Sequence, residues 1–168
     1  MPKGLKSTSS LITIGFSVSE SGANTFTQGQ VDLQLNPLDN EVFVVQAINL
    51  DPTNPDCITA TNTSVDASLT TTSRTAIATL ADSAALGVAK LAIRTDAVSA
   101  VGFARSSMET PPSQLEYIGI IATNDFFVQV QGTGNGGAKA VSGKLYGYRA
   151  RADAAVYAAL VQSEVLSS

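Results

Sequence analysis

Histidine and tryptophan are absent from these 168 residues, one cysteine is present, and only 14% of the chain is charged. Each shortage excludes something. Without histidine there is no Ser-His-Asp triad, no Cys-His dyad and no His-bearing zinc site. A lone thiol, Cys57, makes neither an internal disulfide nor a thiolate metal cage. It stands between Asp56 and Ile58 with no activating base beside it, the setting of a buried or inert thiol rather than a nucleophile. Ten basic against fourteen acidic residues leave a net charge of −4. That balance argues against a dedicated nucleic-acid binder, whose surface needs clustered Lys and Arg. Low charge combined with 44% apolar residues also argues against long disorder.

Long hydrophobic runs are missing as well. No window approaches the roughly 18 apolar residues of a membrane span. The basic start, Met1 to Lys6, leads into Ser7-Thr8-Ser9-Ser10 and then Leu11-Ile12-Thr13-Ile14. A signal peptide requires an unbroken apolar stretch of about 7–15 residues, so this segment reads as a strand. The expectation is synthesis in the cytoplasm without export, which leaves the Asn62-Thr63-Ser64 sequon without meaning.

What the chain does contain is 17 Thr, 18 Ser and 23 Ala, arranged with a period of two. Ile12, Ile14, Phe16 and Val18 oppose Leu11, Thr13, Gly15 and Ser17, giving a first strand with one apolar face. Val31, Leu33 and Leu35 alternate with polar residues. Glu41 to Leu50 is the most continuous apolar strand and belongs in the middle of a sheet. Asp51 to Asp56, with two prolines, reads as a loop. Val65, Ala67 and Leu69 mark a fourth strand, and Leu80 to Leu86 a short helical turn.

Lys90 to Thr95 and Val98 to Arg105 follow as strands, and Pro111-Pro112 makes a break. Tyr117 to Thr123 and Phe126 to Gln131 are separated by Asn124-Asp125, a junction suited to a tight hairpin. A glycine loop then precedes a long strand from Ala138 to Ala152. Beyond Asp153, a candidate N-cap, the spacing of Ala154, Tyr157, Ala158, Val161 and Val165 becomes helical. Eight to ten strands without intervening helices predict an all-β, antiparallel sandwich or barrel rather than a parallel α/β sheet.

The motifs carry little chemistry. Gly132 to Gly137 matches G-x-G-x-x-G in form, but the segment after it alternates like a strand, so the expectation is a flexible hairpin, not a nucleotide site. Asp51, Asp56 and Asp66 offer the hard oxygens calcium prefers, at a spacing that fits no calcium loop. A solvated loop is the better reading. The acids are spread evenly and define no acid–base pair of the glycosidase kind.

Lys139, Lys144, Arg149 and Arg151 with Tyr146 and Tyr148 form the one basic-aromatic stretch. On a strand Arg149 and Arg151 share a face, where acids of a neighbouring strand or subunit can meet them. Residues 1–73 sum to −5 and residues 74–168 to +1, from seven acids against two lysines and seven acids against eight bases. Such asymmetry suits head-to-tail self-association, unless the two halves interleave.

A short Ser/Thr arm, about eight strands, long Thr/Ser/Pro loops and a last strand Ser142-Gly143-Lys144-Leu145-Tyr146-Gly147-Tyr148-Arg149 together resemble single jelly-roll capsid proteins of viruses. The resemblance covers most of the chain in style and rests on no diagnostic motif. It implies an all-β jelly-roll sandwich over residues 11–152, with a short arm at 1–10 and a C-terminal helix and tail at 153–168. It further implies a non-enzymatic virion structural protein of a bacterial or archaeal virus, without cofactor or metal, assembling with copies of itself and other virion proteins. Capsid proteins that package naked genomes commonly carry a long basic arm, whereas this chain has only Lys3 and Lys6 before its first strand. Direct genome binding is therefore not expected, and an internal viral membrane or another protein layer would lie between shell and genome.

The expected subunit contacts are Leu5 in the arm, Tyr157, Leu160 and Val161 in the helix, and Arg149 and Arg151 as ion-pair donors. The competing expectation is that the helix covers the chain's own sheet. Alternative functions are a decoration, tail or spike protein, or a carbohydrate- or surface-binding sandwich module, which the scarcity of aromatics disfavours. An enzyme using paired carboxylates is a more distant third.

Overall fold

The computed structural model describes residues 2–96, 102, 104–106 and 115–167, without the side chains of 104–106. Ten strands are assigned among them: β1 (Leu5–Ser7), β2 (Ile12–Ser19), β3 (Thr27–Asp32), β4 (Glu41–Pro52), β5 (Thr63–Thr70), β6 (Ala85–Ile93), β7 (Ala104–Ser106), β8 (Gly119–Ile121), β9 (Asp125–Thr133) and β10 (Ala140–Ala152). A 3-10 turn covers Pro37–Asp39, and helix α1 spans Ala154–Leu166.

The strands form two antiparallel sheets. In the first, β10 pairs with β1 and β2 along one side and with β4 on the other, and β4 pairs with β8. In the second the order is β3-β9-β5-β6-β7. The chain changes sheet at almost every connection: β2, β4, β8 and β10 lie in one sheet, β3, β5, β6 and β9 in the other. Setting aside β1 and β7, the orders β2-β10-β4-β8 and β3-β9-β5-β6 are those of an eight-stranded jelly roll.

Between the sheets lies a core of Phe43, Val45, Leu50, Val65, Leu69, Ile121, Phe126, Val128, Val130, Val141 and Leu145, with Ile12, Ile14, Phe16 and Val18 packed against it. Alternation in β2 puts those four inward and leaves Thr13, Gly15 and Ser17 exposed. The Phe16 and Phe126 rings meet edge-on across the core at 5.7 Å.

In β4 the alternation is interrupted. Opposite β10, Tyr146 pairs with Ala47 and Gly147 with Val45, so Gln46 is an extra residue. This bulge changes the phase of the strand, and both Phe43/Val45 and Ile48/Leu50 reach the same core. Gly147 sits at the bulge, where a Cβ would run into the Val44 carbonyl and the Phe43 ring.

Several expectations are corrected. Asn124-Asp125 does not close a hairpin, because β8 and β9 belong to different sheets. For the same reason the glycine loop between β9 and β10 is a crossover rather than a hairpin. Interleaving of the two sheets also mixes the −5 and +1 halves, so they do not form opposed poles. Leu80 to Leu86 forms turns leading into β6, not a helix, and β4 continues through Pro52 before the loop begins. The strand expected at Val98–Arg105 falls largely outside the described residues, as does Pro111-Pro112. The helix over Ala154–Leu166 starts at Asp153, whose side chain accepts the Val156 N–H at 2.9 Å.

Candidate functional site

Part of the outward face of the first sheet is apolar, carrying Val42, Val44, Ala150 and Ala152, with Ala122 just after β8 beside them. Helix α1 lies over it. Val156, Tyr157, Leu160 and Val161 form the covering stripe, and Leu5 of β1 completes the cluster with 8% of its surface exposed. Burying this patch is reason enough for a helix at this place, since each large apolar side chain removed from water contributes about 1.5–3 kcal/mol.

The residues expected to meet other subunits are thus engaged within the chain. The arm is not free to reach a neighbour over Leu5–Ser7, because β1 pairs with β10 from Leu5↔Ala152 to Ser7↔Ala150. Leu5 is buried beneath the helix, and Tyr157, Leu160 and Val161 face the chain's own sheet. Arg149 lies 3.7 Å from Glu41 and donates to the Leu33 carbonyl at 3.0 Å. Arg151 pairs with Asp39 at 2.5 Å, both side chains largely exposed. All six residues make contacts within the chain.

A different covering protects the second sheet. Its outward face bears Ser68, Thr70 and Gln129, an uncommon set to bury, and Gln129 is wholly inaccessible. The segment 71–84 folds over them, and every polar end is answered. Ser68 donates to Gln129 Oε1 at 2.7 Å, while Gln129 Nε2 donates to Thr70 Oγ1 at 2.7 Å and Gln28 Oε1 at 3.0 Å. The Ala78 N–H closes on Ser68 Oγ at 3.1 Å and the Arg74 N–H on Gln28 Oε1 at 2.8 Å. Such a network fixes one geometry because any unpaired member would be costly.

One end of the sandwich is tied by a polar knot. Glu20, at 6% exposure, accepts from the backbone N–H of Gly132 at 2.6 Å and of Lys139 at 2.7 Å. The Asn135 side chain accepts the Asp56 N–H at 2.9 Å and donates to the Ser64 carbonyl at 2.8 Å. Lys139 Nζ meets Asp56 Oδ1 at 2.6 Å, and the Gly136 N–H meets Asp56 Oδ2 at 3.0 Å. These donors, Lys139 foremost, hold the Asp56 carboxyl below its ordinary value.

The amides of Gly132, Asn135 and Gly136 that a phosphate would need are therefore taken by Glu20, Asn24 and Asp56. A strand rather than a helix follows, and the loop is pinned rather than flexible. Asp66 faces Lys90 at 3.0 Å, apart from Asp56. Among the described residues no three acidic or cysteine side chains are grouped to hold a metal ion. Cys57 is exposed. No helix among the described residues is long and apolar enough to cross a membrane.

A cavity of about 350 Å³ opens on the first sheet, lined by Ser7, Ser9, Leu11, Gln46, Glu116 and Tyr148. Burial, with Glu116 nearby, pushes the Tyr148 hydroxyl above its ordinary value.

No family model and no curated protein matches this chain. A solved chain titled Desmodium yellow mottle tymovirus is similar. It is 13% identical, the alignment covers 88% of this chain and 92% of that one, and the TM-score is 0.36. Similarity at this level carries nothing about activity or partners.

Three residues that organise these surfaces were not singled out from the sequence: Glu20, Gln129 and Glu164. Glu164 had a readable signal. It falls seven residues after Tyr157 and three after Val161, so a helix places its carboxylate on the apolar stripe. Gln129 follows the parity of β9, sharing a face with Phe127 and Gln131. Glu20 had no signal, because its partners lie 112 and 119 residues away.

Proposed function

We propose that this chain is a non-enzymatic virion structural protein that assembles with copies of itself into a shell or capsomer. The observation that carries the reading is the jelly-roll order of the two sheets, with part of each outward face covered by the chain's own α1 and 71–84 segments. Viral capsid domains are one of the established uses of this architecture. The perimeter and the uncovered parts of the two sheets remain for partners. Edge strands β3 and β8 hydrogen-bond to one neighbour strand each among the described residues. Perimeter contacts of low charge suit a shell, in which each contact is weak and the many repeats supply stability.

The virion is the location this reading implies, with copies of the chain and other virion proteins as partners. A bacterial or archaeal host, and a genome kept away by a membrane or second layer, belong to the same proposal. Separation from the genome is supported by the net charge of −4, ten basic against fourteen acidic residues.

Electron microscopy and sedimentation of the purified chain at high concentration test it. Closed particles or regular capsomers are expected, and a strictly monomeric species at every concentration would overturn the proposal. Copy number in a purified particle separates shell from decoration, tail or spike protein: hundreds of copies are expected of a shell. The second reading is a carbohydrate-binding module, and the cavity beside Tyr148, Gln46 and Glu116 is what favours it. A glycan array probed with the assembled protein decides, since absence of any bound glycan removes this alternative.

A further inference from the structure

Glu164 is the only charged residue of α1, and it points inward with 8% of its surface exposed. Its Oε2 accepts two backbone N–H groups from the β8–β9 junction, Ala122 at 3.0 Å and Thr123 at 2.8 Å. Its Oε1 is buried without a hydrogen-bond partner, and so is Thr72 Oγ1 on the segment that covers the second sheet. Both residues line one cavity of about 220 Å³ with Thr123, Asp125 and Phe127.

The charged groups around it give an ionised carboxylate little support. Asp125 of β9 repels it, although one Asp125 oxygen is engaged by Gln30 Nε2 at 2.5 Å. Arg74, a cation on the covering segment, directs one guanidinium nitrogen to Asp82 and to the Ser167 carbonyl, 2.7 and 2.8 Å away, and its Nε is buried without a hydrogen-bond partner.

We propose that Glu164 is a proton-operated latch, holding α1 on the sandwich when neutral and loosening it when ionised. The neutral form supplies an O–H on a carboxyl whose second oxygen now has no partner, in a cavity where an acceptor, Thr72 Oγ1, also has none. The ionised form leaves a buried charge with two donors on one oxygen and a like charge beside it, an arrangement that costs free energy. Burial pushes the Glu164 carboxyl up to about 7, against the opposing pull of the Ala122 and Thr123 backbone N–H groups and the Thr123 side chain. Docking is therefore strongest below the ordinary glutamate range. It weakens as pH rises from there to about 7, and levels off above. Opening uncovers Val42, Val44, Ala150 and Ala152, an apolar face. The latch is a property of the single chain, and stands whether or not the chain assembles.

Hydrogen exchange of the 154–166 amides from pH 4.5 to 8.5, corrected for the intrinsic pH dependence of exchange, tests the latch. The opening constant is expected to rise by up to about 150-fold and then flatten, with Glu164→Gln removing most of that rise. An equal pH dependence in both proteins overturns the proposal. Should the variant fail to fold, the carboxyl carbon-13 resonance of Glu164 in the unaltered protein decides: a midpoint between 6 and 8 is expected, and one below 5.5 refutes the latch. Calcium chloride added at pH 8.5 should leave exchange unchanged. Protection restored by calcium in the unaltered protein alone would assign the two unpartnered oxygens to a cation site instead.

Discussion

Removing the Glu20 carboxylate tests whether the polar knot at the end of the sandwich stabilises the fold or merely decorates it. Each of its oxygens accepts one backbone N–H, from Gly132 at 2.6 Å and Lys139 at 2.7 Å. Those donors sit at the end of β9 and just before β10, and so belong to different sheets. Hydrogen bonds to a charged acceptor contribute about 1.5–3 kcal/mol each, and a buried donor left without a partner is costlier than an average bond. Glu20→Ala deletes both and is expected to cost about 3–5 kcal/mol. Glu20→Gln keeps one acceptor but turns an amide NH2 towards the other N–H, for a cost of about 2 kcal/mol.

Urea unfolding followed by circular dichroism gives the readout. With a slope of about 2 kcal/mol per molar, the midpoint should fall by about 1 M for glutamine and about 2 M for alanine. The slope itself should not change. Exchange of the Gly132 and Lys139 amides should accelerate in both variants, and more than that of amides in β4. If both variants lie within about 0.5 kcal/mol of the parent, the network is not stabilising and the reasoning fails.

Gly147→Ala places a methyl against the Val44 carbonyl and the Phe43 ring at the β4 bulge, and should lower stability by about 1–3 kcal/mol in the same unfolding assay. Asp153→Ala removes the N-cap of α1, with an expected loss of about 1 kcal/mol and faster exchange in the first helical turn. Arg151→Ala breaks an ion pair between two exposed side chains and should shift the unfolding midpoint by less than about 0.5 kcal/mol equivalent. Lys139→Ala removes the main cause of the lowered Asp56 carboxyl, whose nuclear magnetic resonance titration should move back up. In the parent, the stabilisation tied to Asp56 is present above the ordinary aspartate range and fades as pH falls through the depressed value.

The sequence by itself determined the all-β class, the inward face of β2, the central place of β4 and the helix after Asp153, because each follows from local periodicity or a cap. It also determined that histidine-based catalysis is closed to this chain. Tertiary structure alone decided which strands pair. Asn124-Asp125 has the composition of a hairpin turn, yet β8 and β9 enter different sheets, since pairing is set by burial of whole faces and not by the turn between them. The same applies to the residues expected as subunit contacts. An apolar stripe on a helix says that something must cover it, and only the folded chain shows that its own first sheet does, with Leu5 beneath. Glu20, Gln129 and Glu164 took their roles from partners far along the chain. A buried polar group is defined by the donors around it, and no local pattern encodes those.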